Sequence, residues 1–322
     1  MLSRRDILIG TGMAGVAVLA RPIAKAFATA AQPRTPVNFT VPDGTCDSHT
    51  CIVADPAKFP LAASRGYTPE SASLDEMRAM HHALHIQRVV IVQPSFYGTD
   101  NSCTLDVIKQ LGRNTRGVAL IGDAISNEEL DRLHRGGICG IIFDAGAARS
   151  QHPEELQQRF KTAVERCQGR GWHIEFHGKL PDIEALQNEL MASPVPVIFD
   201  HFGGAQPSLG LDQPGFDTLL KLVHGGKIYV DVSAPYRVSK QAPDYPDVVP
   251  IAKAIIAANP ERVTWGTGWP HPTNIPGRAM TEPTPLMQVD DAHNLNLLAT
   301  WTSGAAELKL ALVENPARLY GF

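Results

Sequence analysis

The chain has 322 residues, of which 43% are hydrophobic, and a formal net charge of −4. This apolar content excludes a disordered chain, and 27 glycines and 5 cysteines are too few for a collagen or a disulfide-rich miniprotein. The mild acidity argues against a nucleic-acid-binding protein, which needs a basic surface to displace phosphate counterions.

The first thirty residues have the pattern of an export signal. Arg4 and Arg5 precede an apolar stretch over residues 7–20, and Ala28 and Ala30 fit a small-x-small cleavage site. The sequence therefore predicts a twin-arginine-type signal peptide over residues 1–30, a linker over residues 31–40 and a periplasmic mature protein. An ordinary N-terminal helix is the alternative. Because no run of 18 apolar residues follows, no stable membrane insertion is expected.

Beyond residue 40, short apolar strands alternate with amphipathic helices. Near-continuous apolar strands are typical of a parallel sheet that is buried on both faces. Eight strand–helix repeats predict one α/β domain over residues 41–322, folded as a single (β/α)8 TIM-type barrel. A doubly wound sheet is the alternative, but it would usually carry a glycine-rich turn after its first strand, where Asp47 and His49 stand. The predicted strands are 45–48, 88–93, 115–121, 140–143, 172–176, 195–200, 228–232 and 263–265, and the predicted helices include 74–84, 128–134, 153–168, 183–191 and 250–258.

Histidines collect at the ends of predicted strands. In a barrel, catalytic groups lie where strands end and loops begin. His49, His177 and His201 follow the first, fifth and sixth predicted strands. One such histidine is usually part of the core, but three at matched strand ends favour a functional cluster. The histidines on predicted helices or loops, which we interpret as solvated, are His81, His82, His85, His134 and His224.

Six motifs are spread along the predicted barrel. They are Asp47-Ser48-His49-Thr50-Cys51, Ser64-Arg65-Gly66-Tyr67-Thr68-Pro69, the run from Val92 to Asn101, Asp200-His201-Phe202-Gly203-Gly204, Trp265-Gly266-Thr267-Gly268-Trp269-Pro270-His271 and the tail from Glu314 to Tyr320. Together they resemble the amidohydrolase superfamily, and most closely its 2-pyrone-4,6-dicarboxylate hydrolase-like group, over residues 40–322. The resemblance implies a distorted (β/α)8 barrel that acts on small anionic lactones, and related members include 4-sulfomuconolactone hydrolase and galactarolactone isomerase.

The chain departs from this group at positions that bear on chemistry. The group usually has a second histidine where Cys51 stands, and Arg-Gly-x-Arg-Phe-Asn at the end of strand four, where this chain has neither arginine and ends in Asp144. After strand eight it usually has an aspartate where Gly268 stands, and that aspartate is the group's general base or last metal ligand. Because both strand-four arginines are missing, we expect a substrate with fewer or differently placed negative charges than 2-pyrone-4,6-dicarboxylate.

The remaining residues allow the chemistry that hydrolysis of an anionic lactone needs. Imidazole groups of His49, His177 and His201 could polarise a lactone carbonyl, and Arg237 offers a planar fork to a carboxylate or sulfonate. The neutral donors expected around the same anion are Tyr67, Ser95, Tyr97 and Asn101.

The missing base leaves three mechanisms open. His201, Glu175 or His271 could take the proton, so His271 joins His49, His177 and His201 as a candidate catalytic residue. A zinc ion on His49, Cys51, His177 and His201 could generate hydroxide, although the resemblance favours no cofactor. The substrate's own hydroxyl could attack instead, which would make the protein a lactone isomerase.

One wider alternative and the expected partner and assembly complete the predictions. A barrel that binds its ligand without catalysis would also explain the altered positions at the mouth. The expected partner is a small anionic lactone rather than a nucleic acid, and the expected assembly is a monomer or a small homo-oligomer.

Overall fold

Eight parallel strands form the barrel that the sequence predicts, and a computed structural model describes residues 30–146 and 153–322. Each strand pairs in parallel with the next one along the chain. The ring is closed by hydrogen bonds such as that from the Ser48 backbone N–H to the Trp265 carbonyl, at 3.0 Å. The fold class is therefore confirmed. The strands are β1 Cys46–Thr50, β2 Arg88–Val92, β3 Thr115–Ala119, β4 Ile138–Asp144, β5 His173–His177, β6 Val197–Phe199, β7 Ile228–Asp231 and β8 Val263–Thr264.

Helices surround the strands and cover their outer faces. Helix α1 begins at a capping box, in which Ser73 and Glu76 exchange hydrogen bonds, as the sequence pattern predicts. The helices are α1 Leu74–Ala83, α2 Ser102–Leu111, α3 Asn127–Arg135, α4 Pro153–Cys167, α5 Leu180–Ala185, α6 Gln187–Ala192, α7 Phe216–His224, α8 Val248–Ala258, α9 Asp291–Trp301, α10 Ala305–Lys309 and α11 Asn315–Tyr320. Within the described ranges, no helix combines the length and the apolar content needed to cross a bilayer.

One prediction about chain organisation needs correction. The single helix predicted over residues 183–191 is two short helices, α5 and α6, which meet at Leu186. The segment predicted as a linker, residues 31–40, contacts the barrel: the Trp269 indole N–H donates to the Ala31 carbonyl at 3.1 Å, and the Thr35 N–H donates to Asp290 at 3.0 Å. The predicted signal peptide lies almost wholly outside the described residues and stays a prediction.

Candidate active site

A cavity of about 670 Å³ opens at the mouth of the barrel, where the strands end. This volume lies in the range of small-molecule sites. Seven residues predicted from the sequence line it together: His49, Cys51, Tyr67, Ser95, His177, His201 and Arg237. The wall also contains Asp144, Lys179, Asp200 and Gly268.

The ends of three strands bring the histidines together. His49 lies in β1, His177 is the last residue of β5, and His201 opens the turn that follows β6. A β-carbon on Gly204 in that turn would lie 2.6 Å from the Gly178 carbonyl oxygen. Glycine is therefore required there, because it lets the loop after β6 pack against the loop after β5.

Asp200 joins two of the histidines. Its Oδ1 lies 3.1 Å from His49 Nδ1 and its Oδ2 lies 2.9 Å from His177 Nε2. Glu175, which is 1% exposed, lies 3.6 Å from His49 Nδ1 and 3.2 Å from His177 Nε2. Two imidazoles thus share two carboxylates in one buried cluster.

This cluster holds positive charge on both imidazoles. Burial alone would lower the pKa of His49, but the Asp200 carboxylate raises it to about 9. The same balance of burial against Asp200 raises the pKa of His177 to about 10. Burial would raise the pKa of Asp200, yet His49 and His177 hold it well below its ordinary value. At neutral pH the cluster therefore presents two imidazolium donors to the cavity.

His201 differs from the other two histidines in its charge. Burial lowers its pKa well below the ordinary value, so its imidazole is neutral at pH 7. Its Nδ1 lies 2.9 Å from Ser233 Oγ, and its Nε2 lies 3.8 Å from Asp200 Oδ2. Asp231, two residues before Ser233, accepts a hydrogen bond from the Thr264 hydroxyl at 2.9 Å, and burial raises its pKa to about 7.

The donor atoms also fit a divalent metal, but not with the predicted set. His49, Asp200 and His201 offer atoms within 4.8 Å of one another, as do Glu175, His177 and Asp200. The nitrogen and oxygen donors of these groups suit zinc, which would supply a Lewis acid and lower the pKa of bound water to about 7.

Among the described residues, Cys51 belongs to neither group, whereas Asp200 belongs to both. The groups that the structure brings together thus contain Asp200, which the predicted ligand set lacked.

A second part of the wall can bind an anion. Arg237 ends a turn, Pro235–Arg237, that follows β7, and its side chain is exposed at the cavity. Tyr67 and Ser95 add hydroxyl groups, and Lys179 adds a second cation. Lys179 was not predicted, because it follows His177 by two residues in a loop that the sequence pattern does not orient.

Two predicted substrate contacts are not on the wall of the cavity. Tyr97 is 3% exposed, and its hydroxyl accepts a hydrogen bond from the Ala54 N–H at 2.9 Å. The Asn101 side chain donates to the Leu120 carbonyl at 2.9 Å and accepts from the Leu120 N–H at 3.1 Å. Both side chains hold loops together, and the structure does not bring them to the cavity with the other predicted site residues.

His271 is also separated from the cavity. It is 0% exposed, with Nε2 3.0 Å from Asp291 Oδ2 and Nδ1 3.1 Å from the Tyr236 hydroxyl. Direct contact with a substrate is therefore excluded, and any part that His271 plays must pass through a neighbour.

The interpretation of His81 as solvated is wrong. His81 is 8% exposed, and its Nε2 lies 3.0 Å from Asp47 Oδ2. Asp47 also accepts hydrogen bonds from the Thr267 N–H at 2.9 Å and the Thr267 hydroxyl at 2.7 Å. Asp47 thus ties α1 and the loop after β8 to β1, directly beside His49.

A side chain at position 268 would meet its neighbours at once. Gly268 has φ +74°, and a β-carbon there would lie 2.8 Å from the Tyr236 hydroxyl oxygen and 2.9 Å from the Ala234 β-carbon. We expect Gly268→Ala to lower the free energy of unfolding by about 2–4 kcal/mol, the sum of left-handed strain and overpacking. Denaturant unfolding measures the change.

The matched control is Gly171→Ala, because Gly171 has φ +68° with nothing within 4 Å of a β-carbon. It should lose only the conformational part, about 1–2 kcal/mol. Equal losses in the two variants would contradict the predicted clash. Gly268→Asp is expected to disturb the mouth in the same way rather than to add a working base.

Imidazole, carboxylate and guanidinium groups at the carboxyl-terminal mouth of a (β/α)8 barrel define a barrel enzyme. The sequence matches the amidohydrolase family over residues 46–322. It is 31% identical over 288 residues to a 4-sulfomuconolactone hydrolase from Hydrogenophaga intermedia, covering 89% of this chain and 91% of the relative. It is 31% identical over 301 residues to a 2-pyrone-4,6-dicarboxylate hydrolase from Comamonas testosteroni, covering 90% and 94%.

Comparison with solved structures also finds a relative in this group. A crystal structure from Pseudomonas putida, described as a candidate 2-pyrone-4,6-dicarboxylic acid hydrolase, superposes with a TM-score of 0.72 at 26% identity and covers 87% of this chain and 98% of the other. The chain belongs to the amidohydrolase family, as its motifs predicted.

Proposed function

We propose that this enzyme hydrolyses a small anionic lactone. The observation that carries the proposal is the shared cavity, in which the imidazolium pair of His49 and His177 faces the same space as the Arg237 guanidinium. One part of the site polarises a carbonyl, and the other holds a negative substituent. The names of the two relatives at 31% identity support a lactone as the substrate.

The residues divide the work by their charge. The lactone carbonyl oxygen accepts hydrogen bonds from the imidazolium groups of His49 and His177, which stabilise the oxyanion as water adds to the carbonyl carbon. Asp200 holds both imidazoles charged and in place. Arg237 and Lys179 hold the carboxylate or sulfonate of the substrate. The ester C–O bond of the ring then breaks and leaves an acid and a hydroxyl group.

The test uses purified protein and a panel of lactones that carry a carboxylate or a sulfonate. We expect acid release, followed with a pH indicator, and incorporation of one oxygen atom from ¹⁸O-labelled water into the product. Ring-size exchange by NMR without oxygen incorporation would identify an isomerase instead. Tight binding of these lactones without turnover would identify a barrel that only binds its ligand.

We expect turnover to survive removal of divalent metals. His49 and His177 already carry the positive charge that a metal would supply to the carbonyl oxygen. Protein treated with a chelator and checked by elemental analysis should therefore keep its kcat. Loss of activity that added zinc restores would contradict this expectation and would assign His49, His201 and Asp200 to a metal.

We also infer that the protein is exported, from the arginine pair and the apolar stretch that follows it. Replacing Arg4 and Arg5 together with lysine should leave the full-length precursor in the cytoplasm. Cell fractionation and immunoblotting measure the distribution. Unchanged recovery of a shortened protein in the periplasm would contradict twin-arginine export.

A further inference from the structure

A chain of three polar side chains runs behind the cavity wall at Gly268. Asp291, the first residue of α9, is 1% exposed, and its Oδ2 lies 3.0 Å from His271 Nε2. The other ring nitrogen of His271 lies 3.1 Å from the Tyr236 hydroxyl. Three ionisable groups from separate segments of the chain are therefore joined by two hydrogen bonds.

The direction of proton donation follows from the partners. A carboxylate only accepts, so His271 donates Nε2–H to Asp291, and its Nδ1 is left as an acceptor. This nitrogen lies 3.1 Å from the Tyr236 hydroxyl, whose one proton is donated to the Gly268 carbonyl oxygen at 3.2 Å. Among the described residues, the Asp291 side chain has no other hydrogen-bond partner, and its Oδ1 is unpaired. The buried carboxylate is thus placed to stabilise a positive charge on His271.

The half-buried Tyr236 lies directly beside two residues that line the cavity, Arg237 and Gly268. Gly268 has no side chain, and the Tyr236 oxygen lies 2.8 Å from where its β-carbon would be. The hydroxyl donates to the Gly268 carbonyl oxygen at 3.2 Å, and the Arg237 guanidinium hydrogen-bonds to it. Only the backbone of Gly268 therefore stands between this hydroxyl and the cavity.

The backbone around this chain is strained. His271 has φ +63° and Ala234, two residues before Tyr236, has φ +48°. Non-glycine residues adopt such angles only when the surrounding structure imposes them, and they cluster at functional sites. His271 is itself a member of the hydrogen-bonded chain, and Ala234 lies beside the turn that holds Tyr236, which is another member.

We propose that Tyr236 is a catalytic residue that takes the proton from the attacking water, with His271 and Asp291 as positioning residues behind it. This inference rests on the proposed lactone hydrolysis. It also gives His271 an indirect part in catalysis, although His271 does not touch the cavity.

The step balances without any added reactant. The water O–H bond breaks as its oxygen bonds to the lactone carbonyl carbon, and the carbonyl π pair moves onto the carbonyl oxygen. The water proton passes to the Tyr236 oxygen while the Tyr236 proton turns from the Gly268 carbonyl oxygen to His271 Nδ1 and is transferred there. When the tetrahedral intermediate collapses, the ring C–O bond breaks, and the proton returns through Tyr236 to the departing ring oxygen.

His201, which lines the cavity, is the other candidate base. Its imidazole is neutral, but it lies next to the charged imidazoles that polarise the lactone carbonyl. Its ring centroid is 4.9 Å from that of His49, and its Nδ1 is bonded to Ser233. His49 and His177 cannot accept a proton while they are charged. Tyr236 lies apart from these imidazoles. With Tyr236 as the proton acceptor, one group of residues polarises the carbonyl and another activates the water.

The decisive variant is Tyr236→Phe, which removes one oxygen and keeps the ring. We expect kcat to fall by about 10²–10⁴-fold, the usual contribution of general-base catalysis, with KM nearly unchanged. Hydroxylamine, a nucleophile that needs no base, should cleave the lactone at similar rates with wild-type protein and with the variant. The matched control is Tyr320→Phe, since Tyr320 is a buried tyrosine whose hydroxyl has no hydrogen-bond partner within residues 30–146 and 153–322, and its kcat should not change.

A second measurement does not depend on turnover. In ¹⁵N-histidine spectra, His271 should carry its proton on Nε2, and Tyr236→Phe should shift the Nδ1 resonance. An active wild type with an unimpaired Tyr236→Phe variant, or a His271 protonated on Nδ1, would overturn the relay and leave the proposed function intact. A folded wild type that turns over no lactone would overturn both.

Discussion

Replacing Asp200 with asparagine should lower kcat/KM by about 10²–10³-fold at pH 8 and move the alkaline limb of the pH profile to lower pH. In the wild type, His49 and His177 have raised pKa values, so the active charged form is present below these values and is lost as pH rises. We therefore expect wild-type kcat/KM to fall as pH rises through about 9, the lower of the two.

The asparagine removes the main charge that opposes the effect of burial. Burial then lowers the pKa values of His49 and His177, which Glu175 opposes at both residues and Asp231 opposes at His49. The alkaline limb should move down by about one to three pH units, the usual effect of one close opposite charge. The measurement is kcat/KM as a function of pH for both proteins.

A surface aspartate supplies the control for this variant. Asp106 pairs with Lys58 on the surface at 3.1 Å, so Asp106→Asn should change neither the rate nor the pH profile. An Asp200→Asn variant that is slow but keeps the wild-type alkaline limb would show that Asp200 acts in some other way than by holding the imidazoles charged.

The barrel could be predicted because its signal is repeated along the chain. Runs such as Arg88–Val92 are β-branched and apolar, and each is followed by a helix with one apolar face. The break between α5 and α6 carried no such signal. The sequence over residues 180–192 contains no glycine, and its only proline stands at the start of α5, so nothing local predicts that the helix divides at Leu186.

The histidine cluster could be predicted because parallel strands end at one edge. That rule alone predicts that His49, His177 and His201 lie together. The hydrogen-bond partners of these histidines can be identified only from interatomic distances. Asp200 stands at a strand end as visibly as His201, yet its part in the cluster depends on its lying within 3.1 Å of His49 and 2.9 Å of His177.

The predicted site and the observed contacts differ where a side chain near a strand end turns away from the mouth of the barrel. Tyr97 and Asn101 follow β2 as the residues of a site would, but their polar atoms bond to neighbouring loop backbone. His81 lies on a helix, and only its contact with the buried Asp47 explains why it is inaccessible. The direction in which each of these side chains points depends on contacts with residues that are distant in sequence, and a single sequence does not reveal such contacts.

Replacing Arg237 with glutamine should raise KM for a carboxylated or sulfonated lactone by about 10–100-fold, because a charge-assisted hydrogen bond is worth about 1.5–3 kcal/mol. Arg237→Lys keeps the charge but loses the planar fork, and it should recover only part of the affinity. The sharper measurement compares the charged lactone with its neutral methyl ester. Wild-type protein should prefer the charged form, and Arg237→Gln should lose that preference while its kcat/KM for the ester stays nearly constant.

The ester comparison separates anion binding from the other contacts of Arg237. Its guanidinium also hydrogen-bonds to the Tyr236 hydroxyl, so a variant that only disturbed Tyr236 would slow the charged and the neutral substrate alike. Arg132→Gln, which breaks a surface pair with Glu129 on α3, is the control for loss of a cation and should leave both substrates unaffected. Equal losses on the two substrates with Arg237→Gln would contradict the anion site, because a guanidinium that binds the substituent must distinguish a carboxylate from its ester.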